Sequence, residues 1–279
     1  MAGRLGLPRF PGSPLIVAAP VTRCGTTLLQ RLFSTGTDGI VFGEHVAAAL
    51  QELVRALLEQ EGKHRVREEG CRRELERVLA GEQLWCPGLM PDVERYLELW
   101  RDALARFLAF HEREARRLGR RTWGTKHPTL ALETLVALRE LVPGSRILYV
   151  VRDVFAAARS VKARRFARTP QELASFASKW SAGVVGIARL ADDPGVRVLR
   201  HEELERIDAA GLSELEDFTG IRGLSRTALE RRVNTFTGEL EAGHAPDQYI
   251  APADLTDEEH SLVAEHARAG LTLLAPAPA

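Results

Sequence analysis

Residues Leu15–Phe33, LIVAAPVTRCGTTLLQRLF, set a short apolar run, a tight reversal and an amphipathic helix directly after one another. Leu15–Ala19 are bounded by Pro14 and Pro20, and Leu28, Leu29 and Leu32 recur at helical spacing. The chain must therefore reverse between Pro20 and Gly25. That turn leaves the amides of Cys24, Gly25, Thr26 and Thr27 at a helix N-terminus, where unsatisfied donors and the positive dipole end favour an anion. Gly25 permits close backbone approach, Thr26 and Thr27 add hydroxyls, and Arg23 adds a fixed charge.

The details narrow the ligand. In a nucleotide triphosphatase loop, the glycine before the helix is followed by a lysine for the terminal phosphates and then by a Ser or Thr that holds magnesium. Here Thr26 stands in the lysine position, the cation has moved to Arg23, and the upstream glycine is missing. A triphosphate with magnesium is the less natural occupant. The plain alternative is an ordinary strand, turn and helix in which Gly25 and the threonines serve only as turn and cap.

Composition bounds the rest. With 279 residues, 45% of them hydrophobic, the chain can bury one core with an inserted subdomain, and a single domain over 1–279 is expected. Basic and acidic residues balance at 38 each, so no global field recruits nucleic acid or an anionic membrane. A small ligand is expected. Cys24, Cys71 and Cys86 have no paired metal spacing, which fits a reducing compartment and predicts no metal site. No apolar leader and no run of about 18 apolar residues is present, so a cytoplasmic location is expected.

Along the chain, Gly39–Phe42 reads as a second strand ending at Glu44 and His45. From 46 to 120 the pattern turns to long helical periodicity, with breaks at Gly62, Gly81, Pro87–Pro91 and Gly119, and predicts a helical insertion. WGTKHP, Trp123–Pro128, precedes a helix predicted over Thr129–Leu141. RILYVV, Arg146–Val151, is apolar enough for a strand buried on both faces. Asp153 is a good N-cap for a helix through Val161, and Ser160 lies about two turns along it. Val196–Leu199 predicts a late strand ending in Arg200 and His201, Leu212–Phe218 a helix, and Thr256 with Glu259 a capping box for a last helix. Residues 225–279 read as a C-terminal region of helix and loop. Strands alternating with helices imply an α/β fold, a mostly parallel sheet flanked by helices, with ligands at the carboxyl ends of the strands.

Arg152 and Ser160 then form a second anchor, at a strand end and on the helix that follows it. An arginine with a nearby hydroxyl suits a second phosphate, away from the first loop. A nucleotide phosphorylated at its 5′ and 3′ positions would satisfy both anchors.

The pair formed by VTRCGTTLLQRL and RILYVVRDVFAAARSV resembles the 5′-phosphosulfate loop and the 3′-phosphate motif of sulfotransferases that use 3′-phosphoadenosine 5′-phosphosulfate. The motif style is similar to bacterial small-molecule and tyrosylprotein sulfotransferases. WGTKHP resembles that family's lysine-proline segment, and VRVLRHEEL its strand ending in Tyr-Glu-Asp-Leu. The likeness runs from Leu15 to Ile221, apart from the helical insertion. It implies a P-loop-type α/β fold, no obligatory metal, and sulfuryl transfer from that donor to a hydroxyl or amine of a small-molecule acceptor. The nucleotide product would be adenosine 3′,5′-bisphosphate, and the protein a monomer or homodimer.

Carried over by position, Arg23 matches the basic residue of the 5′ loop and Cys24 replaces a common serine whose amide still donates. Gly25, Thr26 and Thr27 complete that loop, and Arg152 and Ser160 match the 3′-phosphate ligands. Val154 stands where many members have proline, and His201 where they have tyrosine. Asn234–Gly238 is the candidate substitute for a C-terminal basic motif. Catalysis needs donors at the departing oxygen and a base for the acceptor proton. Arg23 and Lys126 are the candidate cations. Glu44 resembles the catalytic glutamate of the tyrosylprotein enzymes, while one extra residue in the preceding loop leaves His45 in contention and His127 as a third option. The rivals are a kinase using ATP and magnesium at the same turn, and a nucleotide-binding module without chemistry.

Overall fold

The computed structural model describes residues 10, 12–230 and 250–275. Five parallel strands form one sheet: β1 (Leu15–Ala18), β2 (Gly39–Phe42), β3 (Thr122–His127), β4 (Arg146–Val151) and β5 (Val196–Arg200), in the order β2-β3-β1-β4-β5. Helix α1 (Thr26–Ser34) follows β1, and α2 (Glu44–Arg65), α3 (Glu68–Leu79) and α4 (Val93–Arg117) lie between β2 and β3. Then come α5 (Leu132–Leu141), α6 (Val154–Ala163) and α7 (Pro170–Ile187), and after β5 α8 (His201–Glu205), α9 (Ala209–Thr219), α10 (Thr227–Glu230) and α11 (Asp257–Leu274).

Every residue of β1 is buried, as are five of the six of β4, because flanking helices deny these central strands a solvated face. Leu15, Ile16, Leu29, Leu32, Phe33, Leu135 and Trp180 are among the largest fully buried side chains of the core. Helix α11 packs along α7, and Gly270 admits the Trp180 ring, which lies 2.7 Å from where a Cβ would stand. Asp153, Thr169 and Thr256 cap their helices, the last two in reciprocal capping boxes with Glu172 and Glu259.

The structure departs from the sequence reading at four places. WGTKHP is not a lead-in to a helix; it is most of strand β3, inserted between β2 and β1. Its polar centre hid it, since Gly124, Thr125 and Lys126 break the apolar run that marks a buried strand. Gly62 does not interrupt α2, because one glycine costs a helix only about 1 kcal/mol and the packing of α2 on α4 offsets it. Helix α5 starts at Leu132, three residues late, since the Thr129 amide donates instead to His127 Nδ1 at 3.1 Å. Helix α7 had no counterpart in the sequence reading although Thr169-Pro170 and Glu172 mark its start.

Between β2 and β3 the chain forms α2–α4, the first of them beginning at Glu44. They are tied together by buried Arg101, which donates to Glu94 and Glu61 at 2.5 Å each, while Arg65 bridges Glu61, Glu68 and Glu94. Asn234–Gly238 lies outside the described residues.

Gly124 pairs in register with Leu15, and a Cβ there would run into the Leu15 carbonyl oxygen of the neighbouring strand. Gly124→Ala should therefore destabilise the protein by about 1–3 kcal/mol, the cost of overpacking, read as a lower urea midpoint at unchanged slope. An unchanged midpoint would show that β3 can move away from β1.

Candidate active site

Because β1 lies between β3 and β4, the carboxyl ends of three adjacent strands deliver Arg23, Lys126 and Arg152 to one edge of the sheet. Gly25 is the N-cap of α1 at φ 106° and ψ 10°, and Arg23 also has positive φ, at 70°. A non-glycine residue in that region stores strain, and such strain gathers at functional loops. The first helical bond runs from the Leu29 amide to the Gly25 carbonyl at 3.1 Å, so the amides before it project from the helix end.

On one side of the loop, Lys126 Nζ donates to Thr27 Oγ1 at 3.1 Å and ion-pairs with Glu44 Oε1. Lys126 stands in register with Val17 of β1, which brings its ammonium to the start of α1. The lysine absent at position 26 is thus supplied from the adjacent strand. Its side chain is buried while that of Glu44 is 49% exposed, so the carboxylate faces both the lysine and open space. His45 is exposed and makes no hydrogen bond to Lys126 or Thr27 among the described residues, as expected for a neighbour turned about 100° around the helix. His127, at the end of β3, uses Nδ1 to accept from the Thr129 amide, and burial lowers its pKa, with the charge of Lys126 adding to the effect.

Cys24 points into the core. Burial pushes its thiol up to about 12, which leaves no thiolate at neutral pH; its backbone is the part that can serve the loop. Thr26 is buried and Thr27 exposed, so of the two hydroxyls it is Thr27 that meets solvent and Lys126.

On the other side, Arg23 Nε donates to Ser160 Oγ at 3.2 Å, and Arg152 Nη1 donates to the Arg23 carbonyl at 3.1 Å. Trp180 Nε1 fixes the Arg152 carbonyl at 2.9 Å, and Asp153 caps α6 by accepting from the Ala156 amide at 2.7 Å. The sequence reading set the second anchor away from the first loop; the structure brings the two into contact. Adjacent parallel strands are only about 4.8 Å apart, so the loops leaving β1 and β4 abut.

Arg164, which the sequence reading passed over, belongs to the same cluster. Fully buried, it donates through Nη1 to Ser160 Oγ at 3.1 Å and to the Ser160 carbonyl at 3.2 Å. The available signal was its spacing, one helical turn after Ser160. Burial, then the like charges of Arg164 and Arg152, lower the Arg23 guanidinium to about 9, so it still carries its charge at neutral pH.

His201 opens α8 with its ring directly over the loop: a Cβ on Gly25 would lie 2.5 Å from His201 Cδ2. Burial, followed by the charge of Arg152, lowers its pKa below the usual histidine value. The unfolded chain, with an ordinary histidine pKa near 6.5, takes up this proton first on acidification. Stability from this residue is therefore complete above about pH 6.5 and is lost as pH falls towards the lower folded value. His201→Gln should flatten that acid-side loss in melting experiments; an unchanged profile would assign the loss elsewhere, with His127 the next group of the same sign.

A parallel five-stranded sheet flanked by helices, with a glycine turn after its first strand and cations converging at its carboxyl edge, defines an α/β protein. The chain belongs to the sulfotransferase family, whose pattern matches residues 14–225, and is accordingly a sulfotransferase. Among solved structures it is similar to the sulfotransferase domain of the Synechococcus PCC 7002 olefin synthase, at 16% identity over 97% of each chain and a TM-score of 0.50. It is also similar to the sulfotransferase domain of the curacin biosynthetic pathway, at 17% identity over 92% of this chain and 98% of that one, TM-score 0.47. A third is sulfotransferase STF9 of Mycobacterium avium, at 15% identity over 96% and 77%, TM-score 0.43. No curated protein gives a significant sequence match. Among the described residues no helix is long and apolar enough to cross a membrane, and no group of three or more His, Cys, Asp and Glu side chains could hold a metal ion.

Proposed function

We propose that the protein moves a sulfuryl group from 3′-phosphoadenosine 5′-phosphosulfate to a hydroxyl or amine of a small-molecule acceptor and releases adenosine 3′,5′-bisphosphate. The observation that carries this reading is the cation path from Lys126 on Thr27, across the loop, to Arg23 on Ser160 and Arg152 on the Arg23 carbonyl. Two phosphate-sized demands at opposite ends of one loop fit a nucleotide charged at both its 5′ and 3′ positions. Gly25 fits the same occupant, since its left-handed backbone opens the loop amides. A triphosphate with magnesium fits less well: the Thr27 hydroxyl, which that ion would need, already faces a lysine, and a second cation there meets like charge.

The donor supplies the activated sulfuryl group, whose bond to the 5′-phosphate oxygen breaks as the acceptor oxygen or nitrogen bonds to sulfur. Within this reading the amides of Gly25, Thr26 and Thr27 and the Lys126 ammonium offset charge on the departing oxygen. Arg152 and Ser160 hold the 3′ end, and Arg23 spans both ends. Glu44 takes the acceptor proton. Its pairing with Lys126 gives the transfer a direction: a protonated Glu44 holds Lys126 less strongly, so the ammonium becomes available as charge grows on the departing oxygen. His45 makes no hydrogen bond to Lys126 or Thr27 among the described residues and His127 Nδ1 is occupied, which favours Glu44 among the three candidates.

Balanced charge supports an acceptor that is not a polyanion, and a cytoplasmic setting is part of the same proposal. The test is release of adenosine 3′,5′-bisphosphate from the donor with a panel of phenols, alcohols and amines. Acceptor-dependent release is the expected result. Tight bisphosphate binding with no release across the panel would favour a module that keeps the fold without the chemistry.

A further inference from the structure

Ser160 is 3% exposed and sits at the end of the second turn of α6. A serine inside a helix ordinarily gives its proton to the carbonyl four residues back, as Thr219 does to Leu215 at 2.7 Å in α9. Ser160 does not; among the described residues its hydroxyl donates to nothing. Its oxygen instead accepts from two guanidiniums, Arg23 Nε at 3.2 Å and Arg164 Nη1 at 3.1 Å. A hydroxyl has two lone pairs and one proton. With both lone pairs taken, the proton is all that it can offer.

We propose that Arg164 is a positioning residue for the second phosphate: by filling one lone pair of Ser160 Oγ beside Arg23, it commits the hydroxyl to donate to a bound anion. Arg164 is itself aligned at both ends of its fork. Nη1 also reaches the Ser160 carbonyl at 3.2 Å, and Nη2 donates to the Ile250 carbonyl at 3.0 Å. The planar guanidinium suits this task, because a single rigid group meets both partners; a lysine ammonium keeps the charge but not the fork. The neighbouring segment is fastened to α6 as well, through Arg159 to Asp254 at 2.6 Å and Lys162 to Glu259 at 2.6 Å. The cradle that holds Arg164 is therefore built independently of Arg164.

This inference rests on the proposed nucleotide, and its test separates the two. Calorimetry compares adenosine 3′,5′-bisphosphate with adenosine 5′-monophosphate on wild type, Arg164→Met, Ser160→Ala and the double variant. Wild type should prefer the bisphosphate; no preference would remove the nucleotide reading itself. Arg164→Met should weaken the bisphosphate by about tenfold, the scale of one charged hydrogen bond, and leave the monophosphate nearly unchanged. The double variant should then bind the bisphosphate no worse than Ser160→Ala alone, because the two residues act through one hydroxyl. Equal loss for both nucleotides, no loss for either, or losses that simply add would each overturn the inference. Should Arg164→Met fail to fold, Arg164→Lys carries the same comparison and should show the same selective loss.

Discussion

Glu44→Gln should lower turnover by about 10²–10⁴-fold, the range associated with one positioned general base, while binding of adenosine 3′,5′-bisphosphate stays nearly unchanged. Glutamine keeps the size of the side chain and can still accept from Lys126 Nζ through its amide oxygen, so the contact across to β3 survives in weaker form. It cannot take a proton. Because the Glu44 side chain is half exposed and opens α2, the exchange should cost little stability. The measurement pairs steady-state bisphosphate release with calorimetry on the same preparation. Transfer that survives at near wild-type rate would return the role to His127 or His45.

The second large effect is expected at Lys126. Lys126→Met retains a flexible chain of similar volume in the buried position facing the starts of α1 and α2 and removes only the charge. Loss of one preorganised donor at a departing oxygen costs about 10²–10³-fold in turnover. The loss should fall on kcat, with KM for the donor changed far less, because the charge matters most when the departing oxygen becomes anionic. Breaking a fully buried ion pair can cost 3–5 kcal/mol, but here water can reach Glu44, so the stability loss should lie well below that. A variant that raises KM and leaves kcat intact would make Lys126 a binding residue instead.

The sequence was most legible where one local pattern decides the outcome. Leu15–Ala18, Gly39–Phe42 and Arg146–Val151 are short apolar runs between turn residues, and all three form strands at the expected places. Asp153 and Thr256 cap helices as their side chains require. Strand β3 was not legible, because its place between β2 and β1 depends on what surrounds it: Gly124 clears the Leu15 backbone, and Lys126 reaches Thr27. Both are poor strand residues by propensity.

The candidate site was legible as a set of residues but not as a geometry. Arg23, Arg152 and Ser160 were named from two separate motifs, and only the adjacency of β1 and β4 brings them together. Arg164 follows the helix expected through Val161 and belongs to neither motif, whereas in the fold it is among the largest fully buried side chains. His201 stands where the resemblance expects tyrosine, and no sequence pattern indicated that its ring lies over Gly25.

The central claim is that the loop after β1 and the arginines beside Ser160 together receive one nucleotide phosphorylated at both ends. Isothermal titration calorimetry with adenosine 3′,5′-bisphosphate, set against ATP with magnesium, tests it most directly. The protein should clearly prefer the bisphosphate without added metal; preference for ATP with magnesium would contradict a site built for a nucleotide phosphorylated at both ends.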